Sequence, residues 1–214
     1  MHLLNNNWNI WMHYSFDSDW SINSYKKLTN FTNLEDACTF LENVDTNLVE
    51  KSMIFIMKEN IRPIWEDNNN KEGGCISYKI ATSSINTIWK ELCYKIICNN
   101  ICNDVNLLKN INGLSLSPKK NFTIIKFWIK NTDCLNSYKI NNDDLNNNND
   151  SNNNDDSNNN DDSNNNDDSN NNNDSNNNSN LNNNCCNLYD PFNIINNYNL
   201  EQQLCIYKIH NNIY

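Results

Sequence analysis

Forty-four consecutive residues, 141–184, are almost all Asn, Asp and Ser, and they decide how much of this chain can build a core. A segment with so little apolar surface does not repay the entropy of ordering it, so it is expected to be disordered. Serine recurs in it every six residues, at Ser151, Ser157, Ser163, Ser169 and Ser175. A six-residue period is one signature of a β-helix, but this repeat carries no apolar position to fill such a core. The remaining 170 of the 214 residues suit a single domain. We read 1–140 as the main part of that domain, 141–184 as an insertion in one of its loops, and 185–214 as a helix and strand that complete it. The insertion holds ten of the 26 acidic residues and none of the 16 basic ones. Outside it the charges balance at 16 against 16, so global charge predicts no nucleic-acid surface, and any such contact is local.

Hydrophobic periodicity gives the elements. Residues 8–14 read as an aromatic-rich strand and 22–28 as a second. Thr32 and Glu35 have the spacing of a capping box, and Leu34, Ala37, Cys38 and Leu41 follow at helical spacing, which predicts a helix over 33–44. The apolar run 53–57 has strand length, and 75–81 alternates Ile76, Tyr78 and Ile80 with Ser77 and Lys79. Ile85, Ile88, Trp89, Leu92 and Ile96 mark the clearest helix, from Ser83 or Ser84 to about Cys98. Strands over 114–116 and 124–129 are expected to pair, with Lys119 and Lys120 in the loop between them. Asp190-Pro191 starts a short helix to about Tyr198, and 204–209 ends the chain as a strand. Strands without regular β–α alternation, and few helices, predict an α+β fold: a curved antiparallel sheet of about seven or eight strands with about three helices packed on one face.

Several function classes are disfavoured. The nine cysteines include no Cys-x-x-Cys pair, and only His2, His13 and His210 are available beside them, so no metal site is expected. Scattered thiols suit a reducing compartment. No basic-then-apolar leader opens the sequence and no run of about 20 apolar residues occurs, so a cytoplasmic protein without membrane contact is expected. A phosphate-cradling glycine loop, a Ser/Cys–His arrangement and a carboxylate metal cluster are all missing. We therefore expect neither an enzyme nor a cofactor.

The segment 62–74, Arg-Pro-Ile-Trp-Glu-Asp-Asn-Asn-Asn-Lys-Glu-Gly-Gly, carries the sharpest chemistry. Pro63, the Asn run and Gly73-Gly74 predict a loop with a turn at the glycines. An indole beside a carboxylate suits a guanine base: the ring stacks, and the carboxylate accepts from N1 and the exocyclic amine. A base methylated at N7 is cationic and adds a cation–π attraction. Read alone, Trp65 serves equally as an anchor for the loop, with Glu66 and Asp67 solvated. The motif has companions in order, however: Trp8 and Trp11, Trp20 in Asp-Ser-Asp-Trp, the run 113–120, and Trp128. In this order the chain resembles the eukaryotic translation initiation factor 4E family, which binds the 5′ cap of mRNA. The likeness runs from about His2 to Lys130, with a weaker echo over 200–211.

The resemblance implies that helices cover the convex face and that the concave side holds the cap. It implies that Trp20 and Trp65 sandwich the methylated guanine while Glu66 pairs with its edge; Asp67 need not face the base. Trp8, Trp11, Trp89 and Trp128 match structural tryptophans. Lys119 matches a phosphate-binding Arg, Cys75 stands where the family has Arg and Ile124 where it has Lys, with Lys120 placed to compensate for Ile124, so cap binding weaker than the family norm is expected. Scaffold proteins of the 4G type, or repressors with a similar docking helix, are the partners implied beside capped mRNA. Their surface maps to His2, Leu34, Cys38, Lys90, Glu91 and Tyr94. Cys38 stands where the family has Trp, and Lys90 and Tyr94 where it has Leu. Two roles are thus open, a translation initiation factor and a cap-binding repressor or decoy that does not recruit the usual scaffold.

Overall fold

The computed structural model describes residues 1–138, 185–188, 190–198 and 205–209; the expected insertion 141–184 lies outside them. Six strands form the body of a curved antiparallel sheet: β1 (Leu3–Tyr14), β2 (Lys26–Asn33), β3 (Ser52–Lys58), β4 (Gly74–Ala81), β5 (Ile111–Pro118) and β6 (Phe122–Ile129), in the order β2-β1-β3-β5-β6-β4. Two short strands, β7 (Cys185–Leu188) and β8 (Cys205–Ile209), extend it beyond β4, with β8 paired to β4 and β7 outermost. The helices among the described residues are α1 (Leu34–Asn43), α2 (Thr46–Lys51), α3 (Ile85–Ile97), α4 (Val105–Asn110) and α5 (Ile194–Asn197). The expected helices near 33–44, 83–98 and 191–198 are therefore present. The single turns α2 and α4 escaped notice because six residues are too few to show a period.

Alternation along the strands sorts the sheet into two unlike faces. Ile54 and Ile56 of β3, Leu114 and Leu116 of β5, Ile125, Phe127 and Ile129 of β6, and Ile76, Tyr78 and Ile80 of β4 join one core with the helices. Into it α3 inserts Ile88, Trp89, Leu92 and Ile96, and α1 inserts Ala37 and Leu41. Trp8 is also buried here at 1 % exposure, so Trp8 and Trp89 take the packing roles expected of them. Truncating a fully buried leucine such as Leu92 in a core of this kind costs about 2–5 kcal/mol. The intervening residues face the other way. Phe55, Met57, Ile61 and Trp128 form a smaller cluster on the face away from the helices, with Trp11, Tyr25, Met53 and Trp65 packed against it.

One local expectation is corrected and another is sharpened. The N-cap of α1 is Asn33, not Thr32: its side chain accepts from the Asp36 N–H at 2.9 Å and donates to the Asp36 carboxylate at 2.7 Å. The reciprocal box is thus Asn33–Asp36, which frees Glu35 for other partners. The turn expected at the glycines is present: the Gly73 N–H donates to the Asn70 carbonyl at 2.9 Å, and Gly74 begins β4. Gly73 is required by crowding, since a Cβ there would sit 1.9 Å from the Ile129 carbonyl oxygen. A backbone oxygen in a paired strand cannot yield, so Gly73→Ala is expected to destabilise the fold by about 2 kcal/mol or more. Urea unfolding of the variant beside the wild type measures this.

Candidate functional site

The smaller cluster carries Trp65, and Trp20 adjoins it through the rings of His13 and Tyr25. The loop between β1 and β2 presents Trp20, and the loop 59–73 between β3 and β4 presents Trp65 and Glu66. Both loops rest on the face away from the helices.

Trp20 is held from one side. The imidazole of His13, fully buried, stacks on it with 4.6 Å between centroids and 11° between planes. His13 Nε2 lies 2.8 Å from the Asp19 carbonyl oxygen, which only accepts, so this nitrogen carries the proton. Ser24 Oγ donates to the same oxygen at 2.6 Å, and the Asp19 carboxylate accepts from the Ser21 N–H at 2.8 Å and its hydroxyl at 3.0 Å. These bonds fix the backbone that carries Trp20, whose residue surface remains 55 % exposed. Tyr25 continues the aromatic chain, with its ring 4.7 Å from His13 and 5.4 Å from Phe55. Its hydroxyl is pushed up to about 12, first by burial and then by the negative charges of Glu66 and Asp19. One phenol thus feels a carboxylate from each loop.

Trp65 stands on a loop organised by polar hubs. Asp67 was expected to be solvated; it is buried instead, at 4 % exposure. Its carboxylate accepts from Arg62 Nε at 2.9 Å, the Arg62 N–H at 3.3 Å, the Asn69 N–H at 3.0 Å and the Asn69 amide at 3.2 Å. Asn70, wholly buried, donates to the carbonyls of Arg62 at 2.9 Å and Ile64 at 2.8 Å. Asn112 of β5 donates to the Asn69 carbonyl at 2.7 Å and to Asn70 Oδ1 at 3.0 Å, tying the loop to the sheet. Burial works to raise the Asp67 carboxyl, but the Asn69 N–H and the Arg62 guanidinium outweigh it and hold the group below its ordinary range. Glu66, by contrast, is exposed beside Trp65. The Asn run that read as generic loop therefore contains the groups that shape it.

The remaining candidates separate into two places. Lys119 and Lys120 are exposed at the β5–β6 hairpin tip, where the Lys119 N–H donates to the Phe122 carbonyl at 2.7 Å. Trp128 is buried, and its indole N–H donates to Ser115 Oγ at 2.9 Å. On the helical side, His2 caps the start of α1: its N–H and Nδ1 approach the Glu35 carboxylate at 3.0 and 2.9 Å. The His2 N–H, the Glu35 N–H and the His2 ring lower that carboxyl to about 2. Leu34 and Cys38 are half-buried on α1. Glu42 bridges α1 to α3, accepting from Lys90 Nζ at 3.0 Å and from the Tyr94 hydroxyl at 2.7 Å. Glu91 pairs with Lys95 at 2.7 Å and interacts with Tyr198. Among the described residues no cluster of His, Cys, Asp or Glu is arranged to hold a metal, and no helix is long and apolar enough to cross a membrane.

Comparison with known proteins places this geometry. The family model described as eukaryotic initiation factor 4E matches residues 3–179. The Saccharomyces cerevisiae eukaryotic translation initiation factor 4E is 27 % identical over 139 residues, 62 % of this chain and 63 % of that one. The factor of the same name from Dictyostelium discoideum is 37 % identical over 79 residues, 34 % of this chain and 31 % of its own. The chain thus spans less than two thirds of these relatives' length. Among solved structures, Ascaris suum eIF4E-3 in complex with an m7G cap superposes with a TM-score of 0.54 at 23 % identity, covering 61 % of this chain and 74 % of that one. Schistosome eIF4E complexed with m7GpppG and 4E-BP gives 0.55 at 21 % identity, covering 61 % and 72 %. At such identities the superpositions speak for the fold.

Asp67→Asn tests the loop architecture. Removing one buried charged acceptor oxygen is expected to cost about 1–3 kcal/mol of stability. Because the folded carboxyl is held low, its contribution is present above the ordinary aspartate range and is lost as the pH falls through the folded value. The wild type's advantage over the variant in urea unfolding therefore narrows on acidification.

Proposed function

The chain belongs to the eukaryotic initiation factor 4E family, and from that premise we propose that it binds the 7-methylguanosine cap of mRNA through Trp20, Trp65 and Glu66 and acts in translation initiation without being an enzyme. One observation carries the reading: Trp65 packs on the aromatic cluster, Trp20 stacks on His13, whose ring adjoins Tyr25 of the same cluster, and the carboxylates of Glu66 and Asp19 both act on that Tyr25. An indole braced by His13 on one face has the other available to a flat ligand. Glu66 follows Trp65 directly, so a base stacked on that indole has its donor edge within reach of the carboxylate. Each stacked face contributes roughly 1–3 kcal/mol, and charge-assisted bonds add to it, which suits a micromolar ligand. Complexes of neighbouring folds with m7G and m7GpppG caps support the same ligand class.

The methylated nucleotide is expected to bind far more tightly than its unmethylated counterpart and to quench tryptophan fluorescence, because only the former is cationic between the rings. Glu66→Ala is expected to weaken binding by about 1.5–3 kcal/mol. Retention on immobilised 7-methylguanosine, with elution by free cap analogue, tests the whole reading; equal affinity for the two nucleotides would sink it.

The second role, a cap binder that does not recruit the usual scaffold, is favoured by the bridge across α1 and α3. Where a docking helix would bury apolar side chains, Glu42 holds Lys90 and Tyr94 together beside Cys38. Burial and the Glu42 carboxylate raise the Tyr94 hydroxyl, in keeping with a bond retained over a wide pH range. A scaffold-derived helical peptide is expected to bind at least about tenfold more weakly than it binds a family member with Trp at this place, roughly 1.4 kcal/mol. Calorimetric titration of wild type and of Cys38→Trp with Lys90→Leu measures this, the double variant recovering part of the loss.

A further inference from the structure

Sequence reading placed the phosphate contacts at the β5–β6 hairpin tip alone. A different cation lies nearer the indole. Lys126, half-buried on β6, has its Nζ 5.7 Å from the centroid of Trp65. Its neighbours along the strand, Ile125 and Phe127, point into the helical core, while Trp128 lies on the opposite face with Trp65. Alternation therefore puts Lys126 on the face that carries the two indoles. Its cross-strand partners are Ser77 of β4 and Ser115 of β5, so small polar side chains flank it. No carboxylate forms an ion pair with it among the described residues.

One step further along the same face stands Ile124, and across from it on β4 is Lys79. The Nζ of Lys79 lies 4.4 Å from the centroid of Phe122. Lys79 likewise has no ion pair among the described residues. Lys126, Lys79 and the tip lysines thus descend the sheet in order, the distance from position 126 to 122 being about 13 Å at the usual strand rise. Lys126 is half-buried and Lys79 exposed, and with no carboxylate paired to either, both ammonium groups have donors to offer an anionic ligand. A nucleotide stacked on Trp65 has its first phosphates within reach of such a group, whereas the tip lies several ångströms beyond.

We propose that Lys126, followed by Lys79, is the primary phosphate-binding group of this protein, and that it does the work that Cys75 and Ile124 do not. The proposal rests on the cap-binding reading and extends it to a position outside the motif residues. In the free protein the ammonium rests against Trp65; with a nucleotide bound it turns to the phosphate chain, and the tip lysines take later phosphates or the next nucleotide. Charge-assisted contacts of this kind strengthen binding and make it salt-dependent.

The test is a fluorescence titration of the full chain with 7-methylguanosine, its 5′-diphosphate and its 5′-triphosphate at two ionic strengths. The wild type is expected to gain affinity from nucleoside to diphosphate. Lys126→Met, which keeps the stem, is expected to lose about tenfold for the di- and triphosphate but little for the nucleoside, and to show a shallower salt dependence. Lys126→Arg is expected to restore most of the loss, and Lys79→Met to lose less than Lys126→Met. Trp65→Ala, the control, is expected to lose all three ligands. Unchanged phosphate affinity in Lys126→Met, with the wild type binding normally, overturns this proposal and leaves the cap reading standing. A gain in nucleoside affinity in that variant overturns it too, since the ammonium would then occupy the place of the base. Failure of the wild type to bind any of the three ends both readings.

Discussion

Everything in this fold depends on the central strands being apolar on both faces. β3 sends Ile54 and Ile56 to the helices and Phe55 and Met57 the other way. β6 repeats the pattern, with Phe127 on one side and Trp128 on the other. An ordinary antiparallel sheet of this kind has a solvated outer face. Here the outer face is partly covered by aromatic rings, so two long loops have something to settle on. The face away from the helices is in this sense a second, small core whose lid is made of loops.

Those loops are held by different means. The Trp20 loop is braced by a ring stack and by two donors converging on one carbonyl. The Trp65 loop is braced by Asp67, Asn70 and Asn112, which satisfy backbone groups that no regular element pairs. The first arrangement holds its indole against His13, and the second holds its indole on the cluster. The helical side is separate in construction, since its exposed polar bridge from Glu42 to Lys90 and Tyr94 touches none of the groups that hold the indoles.

The long elements were legible because their periods are strong. The α3 pattern of Ile85, Ile88, Trp89, Leu92 and Ile96 gave both the helix and the buried face, and every one of these residues is buried. The positions of Trp20, Trp65 and Glu66 on loops were legible from Pro63 and the polar runs around them. Asp67 was misread because a carboxylate in an Asn-rich stretch has the composition of a solvated turn; only the fold brings Arg62 and Asn69 to it. Gly73 marks the turn in the sequence, but the close approach to β6 that makes glycine obligatory there is encoded by no local signal. Lys126 was passed over because an alternating strand position with one lysine looks like a solvent-facing residue. Its place beside Trp65 depends on the pairing of β4, β5 and β6, which periodicity alone does not supply.

The polar hub beneath Trp65 has an evolutionary consequence. Asp67, Asn70 and Asn112 spend their hydrogen bonds on the loop and on β5, at positions distinct from the strand residues around Lys126. The hardware that aims the indole is thus modular with respect to the neighbouring contacts. None of those hydrogen bonds involves the side chain of Ser77, Ile124 or Lys126, so the strand positions beside the loop can change in size or charge while the bonds that aim Trp65 stay in place.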